Sequence, residues 1–157
     1  STMKDISYSS LSLVLGTWDD ARFGNENFGD EFGMHALDKM FEIHPKSKTL
    51  FGYSEGDEVS KEKSAMHGRL FASVFDSIFQ TLGPDVEFIE EVLLQVGRRH
   101  KVMGIDPAFF PSMGEAVVYA VEKFLKGRKM TQEEIMAWEE VYDAISSEIV
   151  KAIDNSP

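Results

Sequence analysis

Residues 89–104 of the chain read IEEVLLQVGRRHKVMG, and this stretch carries a clear helical pattern. The apolar residues Ile89, Leu93 and Val96 are followed by His100, at steps of four, three and four positions. Steps of this kind place side chains on one face of an α-helix, so the histidine continues a face that is expected to be buried. Gly104 follows closely and predicts the end of the helix.

A second histidine continues another apolar face upstream. The sequence predicts a long helix over roughly residues 60–82, and His67 lies four residues before Phe71, where the apolar stripe of that helix begins. Positions four apart stack on the same helix face, so His67 is also expected to point inward. The segment Gly83-Pro84-Asp85 predicts a break between this helix and the next.

Four further segments complete an all-α pattern, and no segment alternates like a strand. A first helix is expected from about residue 9 to 22, and a second from Phe28 to about His44-Pro45, followed by a bend at 46–53 and an acidic loop at 54–58. Asp106-Pro107 predicts a helix start, with that helix running to Gly127. Thr131 and Glu134 have the spacing of a capping box at the start of a last helix.

Length and composition restrict the classes of function. The chain has 157 residues and no linker-like segment, which predicts one domain over 1–157 with a flexible extension at 1–8. A formal net charge of −11 disfavours nucleic acid and anionic membranes as partners. The absence of cysteine excludes disulfides and thiolate metal sites. No apolar run reaches membrane length, so the expected location is cytoplasmic.

Residue patterns alone leave the role of the histidines open. A single histidine on an apolar helix face is more often a hydrogen-bonded core residue than a ligand, and the phenylalanine stripes are by themselves a hydrophobic core. His35 and His44 are weaker candidates, because His44 precedes Pro45 at a helix end, where it is expected to face solvent or cap a carbonyl. The sequence contains no glycine-rich phosphate loop, His-Glu-x-x-His pair or Ser/His/Asp set.

Several short motifs, in order and at compatible spacing, resemble the globin family from Leu11 to Ile149. They are Trp18 in the first helix, Pro45 with Phe51 six residues later, Val96–Ile105, Met113-Gly-Glu115, Tyr119–Lys123, and Trp138 with Tyr142. The segment Val96–Ile105 closely resembles the corresponding segment of neuroglobins. The resemblance implies a globin fold, the three-over-three helical sandwich, with non-covalent haem b. The absence of a Cys-x-x-Cys-His motif agrees with non-covalent attachment.

The same resemblance implies a role for individual residues. His100 becomes the proximal iron ligand, and His67 the distal histidine and a possible sixth ligand. The implied haem contacts are Phe51, Leu37, Phe71, Tyr53, Ile105, Phe110, Met113 and Tyr142. The cations around His100, Arg99 among them, are placed to reach the haem propionates. Leu37 and Phe71 depart from the phenylalanine and valine of neuroglobins, and Leu70 replaces a lysine, which changes the distal wall.

The implied function is reversible binding of oxygen or another diatomic gas, NO or CO, without enzymatic turnover. A competing function is nitric oxide dioxygenation, which needs an external reductase because the chain contains no flavin or nicotinamide domain. The residues are also compatible with a haem-based sensor, an electron carrier, or a helical interaction protein without a cofactor. With His67 as a second ligand, the iron is expected to be six-coordinate when no gas is bound.

Overall fold

The structure is a computed structural model that describes residues 3–81 and 86–155, apart from the side chains of 86–88. Its α-helices are α1 (Tyr8–Arg22), α2 (Phe28–Ile43), α3 (Lys61–Thr81), α4 (Val86–Val102), α5 (Phe110–Glu122) and α6 (Gln132–Asn155). Short 3-10 helices lie at Pro45–Phe51 and Pro107–Phe109. The described residues form no strand, as the helical periodicity predicts. No helix among them is both long and apolar enough to cross a membrane.

The helix boundaries follow the sequence signals in most places. At the start of α6 the capping box is present: the Glu134 amide donates to Thr131 Oγ1 at 3.1 Å, and the Thr131 amide donates to Glu134 Oε1 at 2.9 Å. The break expected at 83–85, and Leu82 on the α3 stripe, lie outside the described residues. The expectation that the fifth helix reaches Gly127 is wrong, because α5 ends at Glu122 and turns follow.

A cluster of aromatic rings forms the centre of the core. The Trp18 ring lies 5.1 Å from Phe28, 5.2 Å from Phe32 and 5.0 Å from Phe79, measured between ring centroids. The Trp18 indole donates to Asp76 Oδ1 at 2.9 Å, and the Trp138 indole donates to Thr17 Oγ1 at 2.7 Å. These bonds satisfy both buried N–H groups and join α1 to α3 and α6.

Two helix crossings contain a glycine at a close approach. Where α2 crosses α3, a Cβ built on Gly33 would overlap the backbone of Gly68, so side chains at both positions are excluded. Where α4 crosses α6, a Cβ on Gly97 would overlap the Cβ of Ala152 and lie 3.0 Å from the Ile149 carbonyl oxygen. The first crossing lies next to His67 in sequence and the second one turn before His100. Both histidine-bearing helices are therefore held at short distances from their neighbours.

The segment before α1 contacts α6. Lys4 Nζ lies 2.8 Å from Asp143 Oδ2, and the Ser7 amide donates to Glu140 Oε1 at 3.3 Å. Met3 and Ile6 pack against the hydrophobic core. Residues 3–7 are thus non-helical but lie on the surface of the last helix, and α1 begins at Tyr8 rather than Ser9.

Candidate functional site

His67 lies in the first half of α3, facing the chain segment that follows α2. Its ring centroid is 5.1 Å from that of Phe51, the last residue of the 3-10 helix. Phe41 on α2 contacts the rings of both Phe51 and Tyr53, at 5.6 Å and 6.3 Å between centroids. The structure therefore brings together three predicted site residues, His67, Phe51 and Tyr53, in what we call the distal group.

The distal group contains unpartnered buried polar atoms. Among the described residues, three buried side-chain nitrogen or oxygen atoms have no hydrogen-bond partner: Tyr53 Oη, Ser64 Oγ and His67 Nδ1. Ser64 is one turn before His67 on α3, and ring contacts through Phe41 and Phe51 connect Tyr53 to the same histidine. A buried polar atom without a partner costs about 1–3 kcal/mol, so three such atoms in one region indicate a region suited to a polar ligand.

The surroundings of His67 favour the neutral form of its imidazole. Burial of the ring lowers the pKa of His67, and the positive charge of Lys63 lowers it further. Lys63 Nζ lies 4.6 Å above the centre of the Tyr53 ring, at the edge of the distal group. A neutral imidazole is the form that can bind a metal ion, and it can also donate one hydrogen bond.

His100 lies near the end of α4 and is half-buried. Its Nδ1 atom is 2.7 Å from the Val96 carbonyl oxygen, one turn earlier on the same helix. A carbonyl oxygen can only accept, so the proton of a neutral ring lies on Nδ1 and Nε2 keeps its lone pair. A histidine that binds a metal through one ring nitrogen commonly donates a hydrogen bond from the other nitrogen. This hydrogen bond fixes the orientation of the ring and increases its basicity.

A further predicted residue, Phe110, lies next to His100, and Tyr142 in turn contacts Phe110. The Phe110 ring centroid is 5.6 Å from that of His100, and the Tyr142 hydroxyl donates to the Phe110 carbonyl oxygen at 2.6 Å. The Tyr142 ring lies against Gly114, where a Cβ would approach it to 2.6 Å. Burial raises the pKa of Tyr142, so its hydroxyl stays protonated and remains a donor. We call His100, Phe110 and Tyr142 the proximal group.

Of the remaining predicted residues, Ile105 and Arg99 adjoin His100, whereas Leu37, Phe71 and Met113 are buried in the core or packed against it. Leu37 on α2 is 1% exposed, and Phe71 on α3 packs against Phe32 and Phe75. The Ile105 amide donates to the His100 carbonyl oxygen at 3.0 Å. Met113 packs against the core, whereas Arg99 is exposed.

Sequence reasoning missed several residues that surround the two histidines or set the helix crossings beside them. Ser64 and Lys63 stand one turn before His67, a spacing that could have singled them out. Gly33, Gly68 and Gly97 gave no signal of their own, because their role depends on partners far away in the chain.

The two other histidines lie elsewhere. The expectation that His44 faces solvent or caps a carbonyl is wrong, since its ring is half-buried, lies 4.5 Å from Phe109 and has Nδ1 3.5 Å from Ser112 Oγ. His35 contacts the Phe124 ring at 5.9 Å. Within the described residues, no three His, Cys, Asp or Glu side chains are placed to hold a metal ion together.

Comparison with known proteins agrees with this arrangement. The family model "Globin" matches residues 34–149, well over half of the chain. This chain belongs to the globin family. Family membership supports a haem cofactor and a diatomic gas ligand for the chain.

Individual relatives give the same result. The chain is 27% identical to a neuroglobin from Tetraodon nigroviridis over 148 residues, covering 91% of this chain and 89% of the relative. It is 26% identical to a neuroglobin from Chaenocephalus aceratus, with the same coverage. The crystal structure of a hexacoordinated haem protein from an anhydrobiotic tardigrade at pH 4 superimposes with a TM-score of 0.78. That pair is 17% identical and covers 96% of each chain, so the likeness establishes the three-over-three globin fold.

Proposed function

We propose that this globin, as one domain, holds haem b non-covalently and reversibly binds oxygen, NO or CO, with His100 as the proximal ligand and His67 opposite it. The observation that carries the proposal is the contrast between the two imidazoles: His100 Nδ1 is bonded to Val96, whereas buried His67 Nδ1 has no partner. A bound haem iron would supply a Lewis-acidic centre for the gas and for the imidazole nitrogens of His100 and His67.

The proximal group supports the proposed ligand. Since the Val96 carbonyl accepts from Nδ1, His100 has one fixed tautomer in which Nε2 keeps its lone pair and would be free to hold the iron. Phe110 lies against the ring at 5.6 Å and limits its rotation. Exposed Arg99, the residue before His100, would extend toward the propionates at the solvent edge.

The distal group supports two roles for His67. A neutral imidazole can donate a hydrogen bond to a bound gas, or it can bind the iron as a sixth ligand when gas is absent. Because no protein group bonds to its Nδ1, neither tautomer of the ring is fixed and both roles are open to it. We propose that His67 is the sixth ligand in the gas-free protein, where it would compete with the gas.

The test is haem loading of His100→Ala, measured from the Soret band after the purified chain is mixed with haemin. We expect strongly reduced haem retention, because the proposed axial bond is lost and a cavity opens beside Phe110. Free imidazole should restore binding. His35→Ala is the matched control, since its ring contacts Phe124 outside both groups. Equal haem retention in the two variants would contradict the proposal.

A further inference from the structure

A groove runs between α5 and α6 on the surface of the molecule, and we call it the α5–α6 groove. Its volume is about 970 Å³, within the range of about 300–1,000 Å³ that is usual for binding pockets. On α6 its lining runs from Ile135 to Val150 along positions three and four apart, which corresponds to one helix face roughly 22 Å long. Among the described residues, none from α3 or α4 lines it, so the groove is separate from the two histidines proposed to hold the haem.

The α5–α6 groove combines apolar side chains with acidic ones. The buried ring of Trp138 lines it, together with other apolar side chains. Three carboxylates line it as well, and one of them, Asp143, is paired with Lys4. The other two, Glu115 and Glu139, are exposed, and neither forms an ion pair with another described residue. Free carboxylates beside an apolar surface favour an occupant that is both cationic and apolar.

The end of α4 has the complementary character. Arg98, Lys101 and Val102 are neighbours on one face of the helix, and Met103 follows in the turn after it. The two apolar side chains are strongly exposed, Val102 at 88% and Met103 at 63%. No ion pair among the described residues involves Arg98 or Lys101. We call these four residues the α4-end patch, and leave out Arg99 because of its proposed role toward the haem.

The α4-end patch and the α5–α6 groove adjoin each other. Gly97, the residue before Arg98, packs against Ala152 and the Ile149 carbonyl, on either side of Val150, the last groove residue on α6. Pro107 lines the groove only a few residues after the patch. One face of the molecule therefore has an exposed cationic part directly beside a concave acidic part.

We infer that the α5–α6 groove of one copy of this chain receives the α4-end patch of a second copy, in a twofold dimer. The cations of each patch face Glu115 and Glu139 of the other copy, and the exposed apolar side chains of the patch enter the groove. Because the patch and the groove adjoin on one face, a twofold axis pairs both surfaces at once. Both pairs of surfaces are then used, so assembly stops at the dimer.

A second copy matches these surfaces better than other occupants do. An anionic lipid would be repelled by Glu115 and Glu139. An unrelated basic protein could fill the α5–α6 groove, but it would leave the α4-end patch exposed, whereas a second copy covers both surfaces. The formal net charge of −11 opposes association of two copies at long range. This repulsion is screened beyond about 8 Å at physiological ionic strength, while the paired charges of the interface are closer than that.

The experiment measures the Kd of the dimer of the haem-loaded protein by sedimentation equilibrium. The protein is at physiological ionic strength, at concentrations from about 1 μM to about 1 mM, which cover micromolar to millimolar Kd values. The patch variant is Arg98→Glu/Lys101→Glu, and the groove variant is Glu115→Lys/Glu139→Lys.

Each variant has a control that makes the same charge change at exposed positions elsewhere. The control for the patch variant is Lys123→Glu/Lys129→Glu, and the control for the groove variant is Glu55→Lys/Glu58→Lys.

We expect the wild-type protein to dimerise, with a Kd raised at least about tenfold in the patch variant and in the groove variant, and a much smaller change in either control. An equimolar mixture of the two variants should dimerise again, because each acidic patch then meets a basic groove and each basic patch an acidic groove. If charge reversal impairs folding, Glu115→Gln/Glu139→Gln should still give a several-fold loss.

The groove variant distinguishes docking from an effect of net charge. It carries less negative charge than the wild type, so general repulsion alone would predict tighter association, whereas loss of the docking contacts predicts weaker association. Val102→Ser/Met103→Ser should also weaken the dimer, although it changes no charge.

A wild-type protein that stays monomeric at about 1 mM would overturn the inference and leave the groove to another occupant. A groove variant that associates as tightly as the wild type would overturn it too, as would an equimolar mixture with no more dimer than either variant alone. Assembly beyond a dimer would contradict the twofold pairing. Neither surface contains His67 or His100, so each of these results leaves the proposed function unaffected.

Discussion

The distal group and the proximal group each contain a histidine from a helix that crosses another helix at a glycine. The two crossings differ in the atoms that are in contact. At the α2–α3 crossing, Gly33 and Gly68 bring backbone against backbone. At the α4–α6 crossing, Gly97 faces a side chain, Ala152. The two histidines also differ in their hydrogen bonds. His100 Nδ1 is bonded to the Val96 carbonyl oxygen, whereas His67 Nδ1 has no partner. In the proximal group, the His100 ring is thus held in one orientation by its hydrogen bond. In the distal group, the glycine crossing fixes the position of α3, but no hydrogen bond to Nδ1 fixes the orientation of the His67 ring.

The largest expected effects come from filling the crossings. Gly33→Ala should lower the free energy of unfolding by about 3 kcal/mol or more, because the new Cβ overlaps backbone that cannot move aside. Gly97→Ala should cost about 1–3 kcal/mol, and adding Ala152→Gly should recover part of that loss. Urea denaturation of the single and double variants measures both values. If the Gly33→Ala protein were as stable as the wild type, the close approach of the α2 and α3 backbones would not limit the side chain at this position.

A smaller effect is expected at the start of α6, the helix whose second half packs against α4. The Arg128 hydrogen bond is the main cause that lowers the pKa of Glu134 to about 2 from an ordinary value of 4.5. Glu134→Gln should therefore destabilise the protein by about 1–2 kcal/mol at neutral pH, after allowance for the half-exposed guanidinium.

The pH dependence checks this cause. A carboxyl whose folded-state pKa is lowered contributes its full stability above pH 4.5 and loses it as pH falls toward 2. The difference in unfolding free energy between wild type and Glu134→Gln should shrink over that range. A difference that stays constant from pH 7 to pH 3 would rule out the ion pair as its source.

The smallest effects are expected from removing one hydroxyl group in each of the two groups. The free energy of unfolding is measured on the haem-free chain. Tyr142→Phe should cost about 1 kcal/mol, because the Phe110 carbonyl loses its donor. Ser64→Ala should be neutral or stabilising, since it removes a buried hydroxyl without a partner. Equal losses from both substitutions would mean that the distal hydroxyl is satisfied after all.

Periodicity and capping signals were sufficient to predict the order of the helices and to place both histidines on partly buried helix faces. The Thr131–Glu134 box could be predicted because a capping box is local in sequence. The end of α5 could not be predicted in this way. Gly127 does form a turn, with a φ of +83°, but the helix already ends at Glu122. The side chain of Glu122 accepts a hydrogen bond from the Met130 amide at Oε2.

The features of the site that sequence reasoning missed depend on distant partners. Gly97 acquires its role from Ala152, fifty-five positions later, and the ring contacts of His44 come from the segment around Phe109. The axial roles of His67 and His100 stay predictions, because they depend on the haem as well as on the chain.

The most direct test of the two axial assignments is the visible absorption spectrum of the ferrous, haem-loaded protein without gas. If His100 and His67 both bind the iron, the spectrum should show two sharp low-spin bands, and His67→Leu should convert it to a single broad band. A single broad band in the wild-type protein would contradict six-coordination. If the spectra of the wild type, His67→Leu and His100→Ala proteins were all the same, the assignment of both histidines would be wrong.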